Sequence, residues 1–159
     1  MISIGIDPGL KGALVALAVT NAGIRCVYQR QADTFGDLNP DLMLEALLVA
    51  AELDRDVVAV LERVGAMPKQ GLSSTFNFGH GRGVWRGLLA GRGWRVLEPT
   101  PAKWAKPILT DLPGEGKERA IARASQIAGL QLIPPGKRVA QDGLADAACL
   151  ALYGLREGA

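Results

Sequence analysis

The sequence predicts a single α/β domain over residues 1–159. Its centre is a five-stranded mixed sheet, three antiparallel strands followed by two parallel ones, flanked by helices. Two observations carry this. Three apolar segments between Ile2 and Gln31 are joined by turns too short for a crossover, which makes an antiparallel meander. A Val-rich run, Val57 to Leu61, follows a helical pattern and is apolar throughout, as a parallel strand covered on both faces is.

The first segment alternates Ile2, Ile4 and Ile6 with Ser3 and Gly5, then stops at Asp7-Pro8-Gly9. Pro8 has no N–H for a sheet and Gly9 tolerates a turn. Ala13 to Val19 is the second strand, Thr20 to Gly23 a turn, and Ile24 to Gln31 the third strand. Ala32 to Asn39 reads as a loop. Asn39 is placed to cap a helix that opens on Pro40 and is apolar from Leu42 to Leu53, with Asp54-Arg55-Asp56 ending it.

After the Val57–Leu61 strand, residues 65 to 74 read as a loop. Ser73, Ser74 and Thr75 offer caps for a helix from about Thr75 to Ala90. That helix holds Gly79, Gly81, Gly83 and Gly87, each costing roughly 1 kcal/mol against Ala. Glycines at such spacing point to close backbone approach by another helix, a second subunit or a nucleic-acid backbone. Trp85, Leu88 and Leu89 beside them offer an apolar ridge for an isologous dimer contact, with Arg82 and Arg86 toward a DNA-facing edge. His80, the only histidine, is expected on a solvated surface.

Trp94 to Glu98 is the last strand. Thr100-Pro101 opens a short helix bearing Lys103, Trp104 and Lys106 and broken by Pro107. Residues 112 to 116 form a Pro/Gly connection. Lys117 to Ala128 is a helix with Lys117, Arg119 and Arg123 outside and Ala120, Ile121, Ala124 and Ile127 inside. Residues 131 to 137 form a loop, and a final helix of small and apolar residues runs from about Ala140 to Leu155.

The bulk properties exclude several classes. With 48% hydrophobic and 21% charged residues the chain is not a disordered one. No apolar run reaches the roughly 18 residues of a membrane helix, and the N-terminal segment is a strand rather than a signal peptide. Cys26 and Cys149 lie in apolar surroundings at no metal-ligand spacing. They read as reduced core residues of a cytoplasmic protein. The net charge of +2 conceals an asymmetry. Residues 1–62 carry four basic against nine acidic side chains, residues 63–138 thirteen against four, and residues 139–159 one against three. A basic middle between acidic ends fits a polyanion surface beside an acidic centre, or a solvated basic face with no partner.

Four carboxylates stand out. Asp7 and Glu62 each end a buried strand, and if those strands are parallel neighbours the two meet outside the carboxyl ends, where open α/β sheets place their sites. The plainer roles are an Asx-turn for Asp7 and an ion pair with Arg63 or Lys69 for Glu62. Asp142 and Asp146 fall on one face of the last helix, one turn apart. Asp142 can serve the helix dipole. Asp146 sits among Leu144–Leu152 and needs a partner, which a divalent metal shared with Asp7 and Glu62 would supply.

In this order and spacing the residues resemble the RuvC-like Holliday-junction resolvases of the RNase H-like fold, particularly short bacteriophage-type members. The resemblance spans nearly the whole chain. It rests on Gly5 to Gly9, Leu61-Glu62, Phe78 to Gly83, Pro101 to Lys106, Lys117 opening a helix, Asp142 to Ala147, and Ala151 to Gly154. It implies a metal-dependent endonuclease acting on branched DNA as a homodimer. Asp7, Glu62, Asp142 and Asp146 would bind two Mg²⁺ ions per site, with Mn²⁺ able to substitute. Lys117 would join them at the scissile region, with Lys103 or Lys106 nearby. With the basic middle, the expected DNA contacts are Lys69, Arg82, Arg86, Lys103, Lys106, Lys117 and Arg123.

Two departures from the family stand in the sequence. Many members space the last two acidic residues by three, where Gly143 stands here. Some carry a junction-wedging phenylalanine shortly after the glutamate, where this chain has Gly65, leaving Met67, Phe76 or Phe78 as substitutes or a different mode of junction opening.

The chemistry agrees with that implication. Phosphodiester hydrolysis needs a positioned water and a stabilised leaving alkoxide, and paired hard cations held by oxygen ligands serve both. Two other classes remain: a non-catalytic branched-DNA-binding protein, which would not need the carboxylates, and an actin-like or sugar-kinase-like phosphotransferase fragment, which would need a second phosphate loop and a longer chain.

Overall fold

The structure, a computed structural model, describes residues 1–35, 38–52, 56–65 and 71–158. Lys69, Met67, the Asp54-Arg55 helix end and residues 66–70 of the 65–74 loop lie outside the described residues. Strand β1 is Ile2–Asp7, β2 Ala13–Thr20 and β3 Gly23–Gln31. A 3-10 turn over Ala32–Phe35 leads to α1, Pro40–Ala51, then β4, Val57–Leu61. Helix α2 is Leu72–Arg92, β5 Arg95–Leu97, α3 Pro101–Leu109, α4 Gly116–Ala124 and α5 Asp142–Gly158.

The five strands form one sheet in the order β3-β2-β1-β4-β5. The β1–β2 and β2–β3 pairs are antiparallel, and the β1–β4 and β4–β5 pairs are parallel. Gly23, at φ 106°, closes the β2–β3 turn. Asn39 caps α1 with its side-chain oxygen, which accepts from the N–H groups of Asp41 and Leu42, and Pro40 takes the first helical position.

The period of two in β1 divides the molecule. Ile2, Ile4 and Ile6 face one core with Val57, Ala59 and Leu61, covered by α1 and α2 through Met43, Leu47, Trp85 and Leu89. Val58 and Val60 face the other core with Val15 and Leu17, covered by α3, α4 and α5. On that second face β1 presents only Ser3 and Gly5, so α5 can lie directly on the strand. A Cβ on Gly5 would overlap the carbonyl of Ala147, and one on Gly154 would overlap Ser3.

Several boundaries differ from expectation. Helix α2 starts at Leu72, one turn before Thr75, with Gly71 at its N-cap and no side-chain cap; Thr75 donates its hydroxyl to the Gly71 carbonyl. Helix α3 continues through Pro107. The proline removes one backbone bond, but Trp104, Ile108 and Leu109 on either side of it all reach the same core. Burying three such side chains, at roughly 1.5–3 kcal/mol each, outweighs the roughly 3 kcal/mol a helix-interior proline costs. Helix α4 ends at Ala124, not Ala128, although Ile127 still reaches the core. The last helix opens at Asp142 and runs to Gly158.

The expected dimer ridge is also corrected. Trp85 and Leu89 are 2% and 1% exposed within their own chain, and Phe35 meets the Trp85 ring edge-on at 5.5 Å. Their large apolar surfaces close the core beneath α2 instead of a subunit boundary. Cys26 and Cys149 are free thiols in the interior. No helix among the described residues is long and apolar enough to cross a membrane.

Candidate active site

The parallel register sets Ile6 beside Leu61, so the next residues, Asp7 and Glu62, leave the sheet side by side at its carboxyl edge. The Glu62 N–H donates to the Ile6 carbonyl at 3.1 Å and fixes that placement. Asp7 accepts from the Gly9 N–H at 3.2 Å, so it makes its Asx-turn and faces the site as well. Gly12 lies so close to the Asp7 backbone that a Cβ would overlap it, and Gly143 is pressed in the same way against the Lys11 carbonyl. These contacts seat the N-terminus of α5 on the β1–β2 turn and bring Asp142 and Asp146 to Asp7.

A cleft of about 510 Å³ opens there, lined by Asp7, Lys117, Asp142 and Asp146 together with Lys11, Asn77 and Phe78. A second opening of about 380 Å³ shares Asp7, Phe78 and Asp146 and adds Glu62 and Arg63. All four expected carboxylates and Lys117 therefore border a recess of two adjoining openings that share Asp7, Phe78 and Asp146.

The electrostatics are those of acids crowded away from water. Burial pushes the Asp7 carboxyl up to about 7. The Gly9 N–H opposes this, and the neighbouring Glu62 and Asp146 charges add to it. Burial likewise raises Asp146 to about 6, helped by Glu62 and Asp142. Glu62 is raised by burial and held back by the Trp104 indole, whose Nε1–H donates to Glu62 Oε1 at 2.8 Å. Lys117 bonds Asp142 through its ammonium, which raises the lysine.

The donor set consists of hard carboxylate oxygens with no histidine or cysteine, which suits Mg²⁺ or Mn²⁺ better than softer metals. Yet among the described residues no three acidic side chains converge closely enough to hold one ion. Asp142 instead pairs with the Lys117 ammonium. The residues thus suit a hard cation in their chemistry, and Asp7, Glu62 and Asp146 are the side chains that would hold it.

The expected DNA-contacting residues divide. Lys103 and Lys106 are exposed on α3, and Lys117 stands at the cleft with its side chain 73% exposed. Arg82 and Arg86 both bind Glu98 beyond β5. Arg119 and Arg123, expected on the outer face of α4, turn inward to the Leu109 and Ile108 carbonyls, and Arg123 also bonds Asp111 and Gln126. Their guanidinium groups tie α4 to α3. His80 is exposed and stacks on Phe76, itself 71% exposed, whereas Phe78 lies against Gly9 in the recess. Trp104 was not expected at the site, although an indole on a buried helix face needs an acceptor and Glu62 is one. Asn77 and Lys11 carried no signal beyond their side-chain types.

No protein-family model matches the sequence, and no curated protein matches it either. Solved structures do match. Thermus thermophilus RuvC in complex with a Holliday junction substrate aligns over 99% of this chain and 97% of that one, at TM-score 0.68 and 22% identity. The fold is RNase H-like. A further Thermus thermophilus RuvC structure gives TM-score 0.67 at 21% identity, over 99% of this chain and 97% of that one. The yeast mitochondrial Holliday junction resolvase gives 0.62 at 14% identity, over 97% of this chain and 77% of that one. The five-stranded mixed sheet and the flanking helices expected from the sequence are those of this fold.

Proposed function

We propose that this chain is a divalent-metal-dependent endonuclease that hydrolyses phosphodiesters in four-way junctions or other branched DNA, acting as a homodimer. The observation that carries the reading is the recess itself. Asp7, Glu62 and Asp146, at the ends of β1 and β4 and on α5, line one opening in an RNase H-like fold, and Asp7 and Asp146 also line the adjoining cleft with the exposed Lys117. The similar solved structures, one described with a Holliday junction, support the choice of substrate class.

Asp7, Glu62 and Asp146 would hold Mg²⁺ or Mn²⁺, two ions per site, with Asp142 joining when Lys117 releases it. A divalent cation held there would supply Lewis-acid activation of the attacking water and charge neutralisation at the leaving oxygen. Trp104 keeps Glu62 turned into the recess through the Nε1–H bond. Lys117, at the mouth, exchanges Asp142 for a non-bridging phosphate oxygen and steadies the negative charge that grows there. Lys103 and Lys106 supply further backbone contacts. Paired incisions across a two-fold junction need two such sites, and each chain has one.

Cleavage of a labelled four-way junction, a fork and a linear duplex in Mg²⁺ tests the reading. The junction is expected to be cut in symmetric pairs. Asp7→Asn is expected to lose cleavage by at least about a thousandfold, since a lost ligand removes several kcal/mol of transition-state stabilisation, while junction binding persists. Normal rates from Asp7→Asn would refute it. Lys103 and Lys106, exposed on α3, would serve equally a second reading, a branched-DNA-binding protein without cleavage. Tight junction binding by the unsubstituted protein with no incision in either metal would establish it.

A further inference from the structure

A second cleft, of about 350 Å³, lies beside the recess and shares with it the β1–β2 turn residues Leu10, Lys11 and Gly12. Its far wall comes from the end of β3 and the segment before α5: Gln31, Asp33, Lys137 and Gln141. Nothing in the carboxylate chemistry uses this cleft. It is nonetheless built. The Ala32 N–H donates to the Gly12 carbonyl at 2.9 Å, Gln31 bonds Gln141 at 3.2 Å, and Gln141 is further tied to Val139 at 2.8 Å. These bonds hold the 131–141 segment at a fixed distance from the turn.

Lys11 is exposed, borders both clefts and has no ion pair among the described residues. Lys137 has only Asp33, at 2.9 Å, in a pair whose side chains are 38% and 49% exposed. An exposed pair of this kind contributes at most about 1 kcal/mol, so another anion can replace the carboxylate at little cost. The amides of Gln31 and Gln141, bonded to each other, line the same cleft and make it polar. Cations on either side of a polar trough, continuous with a phosphodiester-cleaving recess, match a strand whose backbone continues past the turn.

Resting on the proposed nuclease reading, we propose that the cleft between the Leu10–Gly12 turn and Lys137 is a second nucleic-acid subsite, which takes the backbone phosphates flanking the scissile one through Lys11 and Lys137. Asp33 is its built-in competitor. It neutralises Lys137 until a phosphate arrives.

The test is equilibrium binding of the full chain to a four-way junction, without divalent metal, over a salt series. Lys11→Gln and Lys137→Gln are each expected to lower the slope of log K against log salt by about 0.7–0.9 and to weaken binding several-fold. Lys137→Arg should retain both. Asp33→Asn should tighten binding, a change of opposite sign that loss of local structure would not give. Arg25→Gln, which removes a charge at the other end of β3, is the control for bulk charge. Thermal melting of each variant confirms that it is folded. The subsite is overturned if Lys11→Gln and Lys137→Gln leave slope and affinity within twofold, or if Arg25→Gln weakens binding as much as they do. If the unsubstituted protein binds no DNA, the nuclease reading falls along with the subsite. Unchanged variants of a protein that binds and cuts overturn the subsite alone.

Discussion

The single residue on which most turns is Asp7, and its titration has a measurable consequence. In the metal-free protein the folded chain holds the Asp7 proton up to about pH 7 and the Asp146 proton up to about pH 6, whereas both unfold to acids of 3.8. Between these values the folded state binds more protons than the unfolded one. Stability therefore falls as pH rises from about 4 to about 7 and levels off above. A divalent cation reverses the trend, because it binds the deprotonated carboxylates and binds them better as pH rises. Melting temperatures taken across this window with chelator and with Mg²⁺ should diverge in slope, and Asp7→Asn should flatten the chelator curve. A metal-free melting temperature that climbs through the window would contradict the placement of these acids. The sequence made both acids conspicuous, Asp7 by its strand end and Asp146 by its apolar neighbours. It gave no sign of the Trp104 indole that fixes Glu62, because that bond joins two residues 42 positions apart.

At the scale of elements, the site exists because α5 lies on β1 without an intervening side chain. Gly5 makes that possible, and Gly5→Ala would drive a methyl into the Ala147 carbonyl and the Ala151 N–H, both backbone and unable to rotate away. We expect a loss of about 3 kcal/mol or more in denaturant unfolding, at the upper end for overpacking. Any folded remainder should have weakened metal binding, since Asp146 moves with the helix. A loss below about 1 kcal/mol would mean the helix can shift freely. The strands were legible because their signals are local: the alternation of Ile2, Ile4 and Ile6, the turn at Gly23, the apolar run Val57–Leu61. The inward turn of Arg119 and Arg123 was not. A basic helix face reads as solvated until the Ile108 and Leu109 carbonyls at the end of α3 are known to lie beneath it. The run of α3 through Pro107 was hidden likewise, since a local breaker is overruled by a core contributed mostly from elsewhere in the chain.

At the scale of the molecule, the outer face of α2 is a feature that packing within the chain does not explain. Gly79, Gly83, Gly87 and Gly91 recur every four residues, and a Cβ at any of them would meet nothing within 4 Å. None of the four has a positive φ, so neither close packing within the chain nor backbone strain requires glycine there. Each weakens the helix by roughly 1 kcal/mol relative to Ala. Trp85 and Leu89 face the opposite way into the core, while Leu72 and Phe76 at the start of the helix are 90% and 71% exposed. A second copy running antiparallel across this face would set apolar side chains over backbone hollows, which is the close approach that glycine permits. The double variant Gly83→Ala, Gly87→Ala separates the two roles. In an isolated chain it should raise stability by about 1–2 kcal/mol and the melting temperature by several degrees. If this face joins two chains, the same variant should be the weaker self-associator, and solution mass with junction DNA should move from twice 16.8 kDa toward a single chain per complex. Higher stability with unchanged assembly would place the subunit contact on another surface.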